Sequence, residues 1–342
     1  MGKPEYVVVL GGGNGTSRLL KSLVPLLTER RIASLHALVL NADDGGSTGR
    51  LRIQYGVGAM GDLTKCLVAL SGFHGDQRGD QFLRALDYRF ENGDFAGHTL
   101  RNIFLASLEK TSDLDAAISM MARLLQTPKE AGVIPTTLKA LTQQVVVKPN
   151  GQEQLLGEGQ HFISHKVNLQ ADPSWKPGVV RVKYAEGDVS LNPRAAQVLS
   201  EATHIIVAPG HTYGTILPTL ALPSLGRAVA ESVAPLTIVM TLLTTPHQTS
   251  DWSGEDFVQV YESYLFDKKA DVVIANTGRI TLGLVEGQRP VVFLKKQHPY
   301  KLLQRDLVAA ELPLRQAGDV VPRAIVIHDA EKLTRLFRDI LV

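Results

Sequence analysis

The chain of 342 residues contains one cysteine, Cys66, which excludes an internal disulfide framework. That usage suits a reducing compartment, and a cytoplasmic location is expected. Neither sign of charge dominates: 36 Lys and Arg face 34 Asp and Glu, so no nucleic-acid surface is expected. No apolar run approaches the length of a membrane span, so no membrane partner is expected either. The opening MGKPEYVVVL passes straight into a strand and lacks the pattern of a signal peptide. Cys and His nowhere cluster with zinc spacing, and no Gly-Lys-Ser/Thr phosphate loop occurs.

What is present is a pair of buried runs that end in glycine. Tyr6–Leu10 and Leu35–Leu40 lack polar alternation and read as strands of a parallel sheet, buried on both faces. The first run ends in the loop Gly11–Gly15, and the spacing predicts a helix from about Thr16. The amides and dipole of such a helix start favour a phosphate, so Gly12, Gly13, Asn14 and Gly15 become candidate ligand residues. A third glycine in dinucleotide spacing is missing, because position 16 is Thr, and this weakens a nicotinamide reading. The second run ends in Asp43-Asp44-Gly45-Gly46-Ser47-Thr48-Gly49-Arg50. The acids could bind ribose hydroxyls, hold a cation or orient a reacting hydroxyl.

Further along, Asp62 closes a Gly56–Gly61 loop, as a helix N-cap or as a ligand residue. GHTLRNIFLASL predicts a helix over 98–108, with His98 and Asn102 four apart on one face. Gln81–Phe90 and Asp113–Leu125 read as further helices. Short alternating segments at 136–148, 153–157, 160–168 and 179–184 read as an antiparallel β insertion spanning about 136–185. Buried strands then return at His204–Ala208, Leu236–Thr241 and Asp271–Ala275, with two more expected at Pro290–Leu294 and Ala324–Ile327. The fold expected is α/β and Rossmann-like: a mostly parallel central sheet flanked by helices, as one α/β domain over 1–342. In such sheets ligands bind beyond the strand C-termini, where the loops at Pro209, Gly210 and Tyr213 and at Asn276 also lie.

These segments resemble a family. LGGGNGTSRLLKSL, NADDGGSTGRLR, GAMGDLTKCLVAL, GHTLRNIFLASL, the Ile-Pro of GVIPTTL and APGHTYGTILPTL occur in the order of the YvcK/CofD-like family. The Asp-Asp-Gly-Gly-Ser-x-Gly-Arg-Leu-Arg stretch is the YvcK-type form of its loop. The resemblance implies a UDP-sugar ligand, typically UDP-N-acetylglucosamine, and a role in carbon flow, cell shape or cell-wall synthesis. The pocket it implies contains Gly12, Gly13, Gly15, Asp43, Asp44, Gly46, Ser47, Arg50, Asp62, His98, Asn102, Pro209, Gly210, Tyr213 and Asn276. The related CofD-type reading is a transferase that moves a phospholactyl-like group from a nucleoside diphosphate donor to an acceptor hydroxyl. There Asp43 or Asp44 would be catalytic, holding Mg2+ or orienting the acceptor, while Arg50 would offset phosphate charge. The binder reading expects no covalent chemistry. Tyr213 is open to two roles, stacking on a base or sugar, or packing within its loop. Homodimers are common for this architecture. The chain departs from the family pattern at Arg101, where a second Gly is usual, and at Ala208, His211, Thr212 and Gly214 of the later loop. It departs again at Leu242-Leu243-Thr244, which follow the Met240-Thr241 it shares, and at Ile327 before His328-Asp329.

Overall fold

The structure, a computed structural model, describes residues 5–42, 45–148, 152–159, 172, 175–281, 283–310 and 326–341. Its ten strands are β1 Glu5–Leu10, β2 Ile32–Val39, β3 Ala131–Pro135, β4 Gln143–Val147, β5 Gln154–Glu158, β6 Val180–Tyr184, β7 His204–Val207, β8 Leu236–Val239, β9 Val272–Asn276 and β10 Lys301–Arg305. Seven of them form one parallel sheet in the order β10-β9-β8-β7-β1-β2-β3, and three form an antiparallel sheet in the order β5-β4-β6. The helices are α1 Gly13–Thr28, α2 Gly46–Tyr55, α3 Met60–Ala69, α4 Gln77–Asp87, α5 Leu100–Thr111, α6 Leu114–Leu124, α7 Pro193–Glu201, α8 Leu217–Leu220, α9 Pro223–Glu231, α10 Gly254–Tyr264 and α11 Ala330–Ile340.

The absence of polar alternation in β1 and β2 has its cause in the layering. Side chains of a strand alternate between faces. Val7 and Val9 point into one core with α1, α3, α5, α6 and α11. Val8 and Leu10 point into the other, with Val145, Val182 and Tyr184 of the small sheet and Leu199, Leu217 and Phe257 of later helices. Both faces are therefore dry. Each fully buried aliphatic side chain contributes about 1.5–3 kcal/mol against exposure.

The observed elements correct several expectations. The first helix begins at Gly13, so Asn14 and Gly15 lie in its first turn and only Gly11 and Gly12 remain as loop. The strand expected at Pro290–Leu294 is not formed; Pro290 makes one isolated bridge to Leu243. The outer place in the sheet is taken by β10, a half-exposed edge strand whose Lys, Gln and Arg hide its period. Val326 and Ile327 form no strand, and Ala324 and Ile325 lie outside the described residues, as does the segment 160–168. The helix expected at 98–108 starts at Leu100, and that expected at 81–90 runs Gln77–Asp87. Between them Tyr88–Thr99 folds back as a hairpin closed by Phe90 N–H to the His98 carbonyl at 3.0 Å.

Candidate functional site

The chain leaves β1 for β2 and β3 on one side, then returns to β7 on the other and continues outward to β10. The direction reverses between β1 and β7, and in open parallel sheets ligands bind at such a switch point, beyond the strand C-termini. Two loops meet there. Gly11 adopts φ +148° and Gly13 φ +69°, which turns the chain sharply into α1. Among the described residues no side chain caps that helix; its N-cap is Gly12. Opposite, the loop after β7 is tied down by the Ala208 N–H to the Leu10 carbonyl at 2.9 Å. The loops touch: a Cβ built on Gly15 would lie 1.9 Å from the Pro209 carbonyl oxygen.

Asp62 faces this contact. It is not an N-cap but the third residue of α3, and Oδ2 lies 2.6 Å from where a Cβ on Gly12 would stand. The Lys65 ammonium lies 3.5 Å from its Oδ1. With Leu40, Gln143, Gly214, Thr215 and Thr219, Gly12 and Asp62 line a cavity of about 10 Å³, room for one water. Gln143 belongs to β4 and donates from Nε2 to the Tyr213 carbonyl at 2.9 Å, so the small sheet reaches the crevice. Sequence reasoning gives no sign of Gln143, because it lies more than a hundred residues from the glycine loop.

A second cluster adjoins the first. Ser47 stands in the first turn of α2, and its Oγ is 2.8 Å from His98 Nδ1. Asn102 Nδ2 donates to Ser47 Oγ at 3.3 Å, and Thr64, two residues after Asp62, donates to Asn102 Oδ1 at 2.8 Å. Arg101 completes the network, from Nε to Thr64 Oγ1 at 3.2 Å and from Nη1 to Asp87. Arg101 is thus a buried, paired cation. His98 and Asn102 meet through Ser47, not along one helix face as the spacing predicts, because His98 precedes the helix. Burial, then the nearby Arg50 and Arg89, hold the His98 imidazole below its ordinary value, which keeps it neutral. The exposed Arg50 donates to the Ala96 carbonyl at 2.6 Å and so ties α2 to the hairpin. A signal for this cluster was present in the sequence: Gly45-Gly46-Ser47-Thr48-Gly49 has the Gly-x-Ser-x-Gly pattern of a nucleophile turn between strand and helix.

Gly12, Gly13, Asn14, Gly15, Asp62, Pro209 and Gly210 are therefore brought together, and Gly46, Ser47, Arg50, His98 and Asn102 adjoin them. Tyr213 is not available for stacking. Its ring is buried edge-on against Trp252 at 6.0 Å, and its hydroxyl donates to the Val180 carbonyl at 3.3 Å. The crevice is lined instead by its neighbours Gly214 and Thr215. Asn276 closes a turn on Gly278 and accepts the Leu307 N–H at 2.9 Å, so its carbonyl is spent on the chain itself. Asp43 and Asp44 lie outside the described residues. Among the described residues no group of three His, Cys, Asp or Glu converges as a metal site.

The family model described as "2-phospho-L-lactate transferase CofD" matches residues 7–312. The chain belongs to the CofD family. Within it, a protein of Bacillus subtilis strain 168 named "Gluconeogenesis factor" is 27% identical, over 100% of this chain and 99% of its own. A "Gluconeogenesis factor" of Listeria monocytogenes is 30% identical over 80% of this chain and 78% of its own. A crystal structure of a upf0052-family protein from Bacillus halodurans has a TM-score of 0.79 at 24% identity, covering 98% of this chain and 99% of that one, so the fold is shared. In this chain the glycine loop and Asp62 fall at the switch point, and the serine-bearing turn is linked to them through Thr64 and Asn102. Among the described residues no helix is long and apolar enough to cross a membrane.

Proposed function

We propose that this CofD-family chain binds a nucleotide-sugar resembling UDP-N-acetylglucosamine and acts, in the manner of the gluconeogenesis factors, as a cytoplasmic regulator of carbon metabolism, cell shape or cell-wall synthesis. The observation that carries the reading is an uncapped helix start, Gly13–Gly15, at the sheet's switch point with Asp62 facing it. The α1 amides take the diphosphate. Asp62 would repel phosphate oxygens, so it accepts hydrogen bonds from a ribose or sugar hydroxyl, as do Asp43 and Asp44. The water-sized cavity is too small for a nucleotide. The ligand lies outside it, on a surface that takes in the exposed Asn14, Gly46 and Arg50. Arg50 supplies the counter-charge.

The description of the matching family model supports a second reading, transfer of a phospholactyl-type group from a nucleoside diphosphate donor. A thermal-shift comparison separates the two. A melting-temperature rise with UDP-N-acetylglucosamine supports the binder. Turnover of a guanosine-linked phospholactate donor with Mg2+ and a deazaflavin acceptor, without that rise, supports the transferase.

A further inference from the structure

We infer that Ser47 is a nucleophile activated by His98, and that it attacks the diphosphate of a nucleotide-sugar bound at the switch point. The inference rests on the binding reading above and adds a slow hydrolysis to it. Three observations carry it. Gly45 is the N-cap of α2 and Gly46–Gly49 its first turn, so the serine of this Gly-x-Ser-x-Gly spacing stands at a helix start, after β2 has ended at Val39. Ser47 Oγ and His98 Nδ1 are 2.8 Å apart, within reach for direct proton transfer. Asn102 Nδ2 donates to the same Oγ at 3.3 Å, which holds the oxygen in place while the His98 tautomer with unprotonated Nδ1 accepts the hydroxyl hydrogen.

The surroundings select the electrophile. Among the described residues no side chain caps α2, and its first turn carries the Thr48 amide just after the serine, a donor suited to an oxyanion. Arg50 and Arg89 both act electrostatically on His98. Two cations and a helix start suit a phosphoryl centre better than a neutral ester. In the step, a bond forms between Ser47 Oγ and one phosphorus, and the bridging P–O bond breaks. The Ser47 proton passes to His98 Nδ1, and the leaving phosphate monoester carries away the bridging electron pair. His98 hands that proton to the departing oxygen. Water, deprotonated by the now neutral His98, then cleaves the Ser47–phosphorus bond, and His98 returns the proton to Ser47 Oγ. Attack at either phosphorus gives the same sum: UDP-sugar plus water yields UMP and sugar 1-phosphate. Asn102 acts through Ser47 and is a positioning residue.

The test incubates the full chain with UDP-N-acetylglucosamine, measures UMP, and searches acid-quenched protein for an adduct on Ser47 by mass spectrometry. The expected result is UMP formation with an adduct, both abolished in Ser47→Ala and slowed a hundredfold or more in His98→Gln. A second readout needs no substrate. In Ser47→Cys the new thiol, next to His98, should be alkylated by iodoacetamide at pH 6 at least tenfold faster than in Ser47→Cys/His98→Gln, while the buried Cys66 stays unlabelled. Equal alkylation rates, or UMP formation undiminished in Ser47→Ala, would overturn the inference. Fast His98-dependent alkylation without any melting shift from the nucleotide-sugar would uphold the activated pair and remove the ligand reading instead.

Discussion

Gly15 and Pro209 meet so closely that a methyl group on the first would stand 1.9 Å from the carbonyl oxygen of the second. This contact joins the first turn of α1 to the loop after β7. The obstacle is main chain, not a flexible side chain, so neither partner can swing aside. Gly15→Ala should therefore lose about 2 kcal/mol or more, in the range seen when rigid sites are overpacked, and Asn14→Ala, at an exposed neighbouring position, should lose under about 1 kcal/mol. Urea unfolding of the three proteins checks this.

Tyr213 faces inward, against Trp252 and the Val180 carbonyl. Tyr213→Phe should cost about 1 kcal/mol of stability through the lost hydrogen bond and leave nucleotide-sugar affinity unchanged within twofold. Titration calorimetry on the variant checks the second half. A large loss of affinity at unchanged stability would place the ring at the ligand.

Cys66 is buried in α3, and burial raises its thiol well above the ordinary range. The reactive thiolate is thus suppressed. The native chain should resist a thiol reagent for hours at pH 8, and one thiol should appear in denaturant. Fast native labelling would mean that the core around α3 opens readily.

His328 is buried, and burial pushes its imidazole down to about 4. An unfolded histidine titrates near 6.5. Between these values the unfolded chain binds a proton that the folded chain refuses, so stability falls as pH drops through the window. The loss reaches roughly 3 kcal/mol for this residue. Burial depresses His204 and His36 in the same direction. Denaturant midpoints at pH 7 and pH 4.5 should differ less in His328→Phe than in the parent chain.

The central strands and the crossing helices were legible because their side chains alternate between two dry cores, which leaves unbroken apolar runs in the sequence. The edges were not. AGVIP and KLLQR are short, half-exposed or interrupted by Gly and Pro, so neither β3 nor β10 carries a period that can be counted. The start of α1 looked like loop because Gly13-Asn14-Gly15 are poor helix formers; tertiary contact with Pro209 overrides that preference. Within the site, the glycine loop and Asp62 could be read from composition. The orientation of Tyr213 could not, because Trp252, thirty-nine residues on, decides it. The link between His98 and Ser47 depends on a hairpin that the helical period of 98–108 concealed.

The claim on which the account depends is that a diphosphate sits on the α1 amides while Asp62 holds a hydroxyl of the same ligand. Titration calorimetry with UDP-N-acetylglucosamine on the parent chain and on Asp62→Asn tests it most directly. The account predicts one site per chain and a loss of tenfold or more in the variant, as expected for a hydrogen bond to a charged group. No binding to the parent chain, or full affinity in Asp62→Asn, would contradict it.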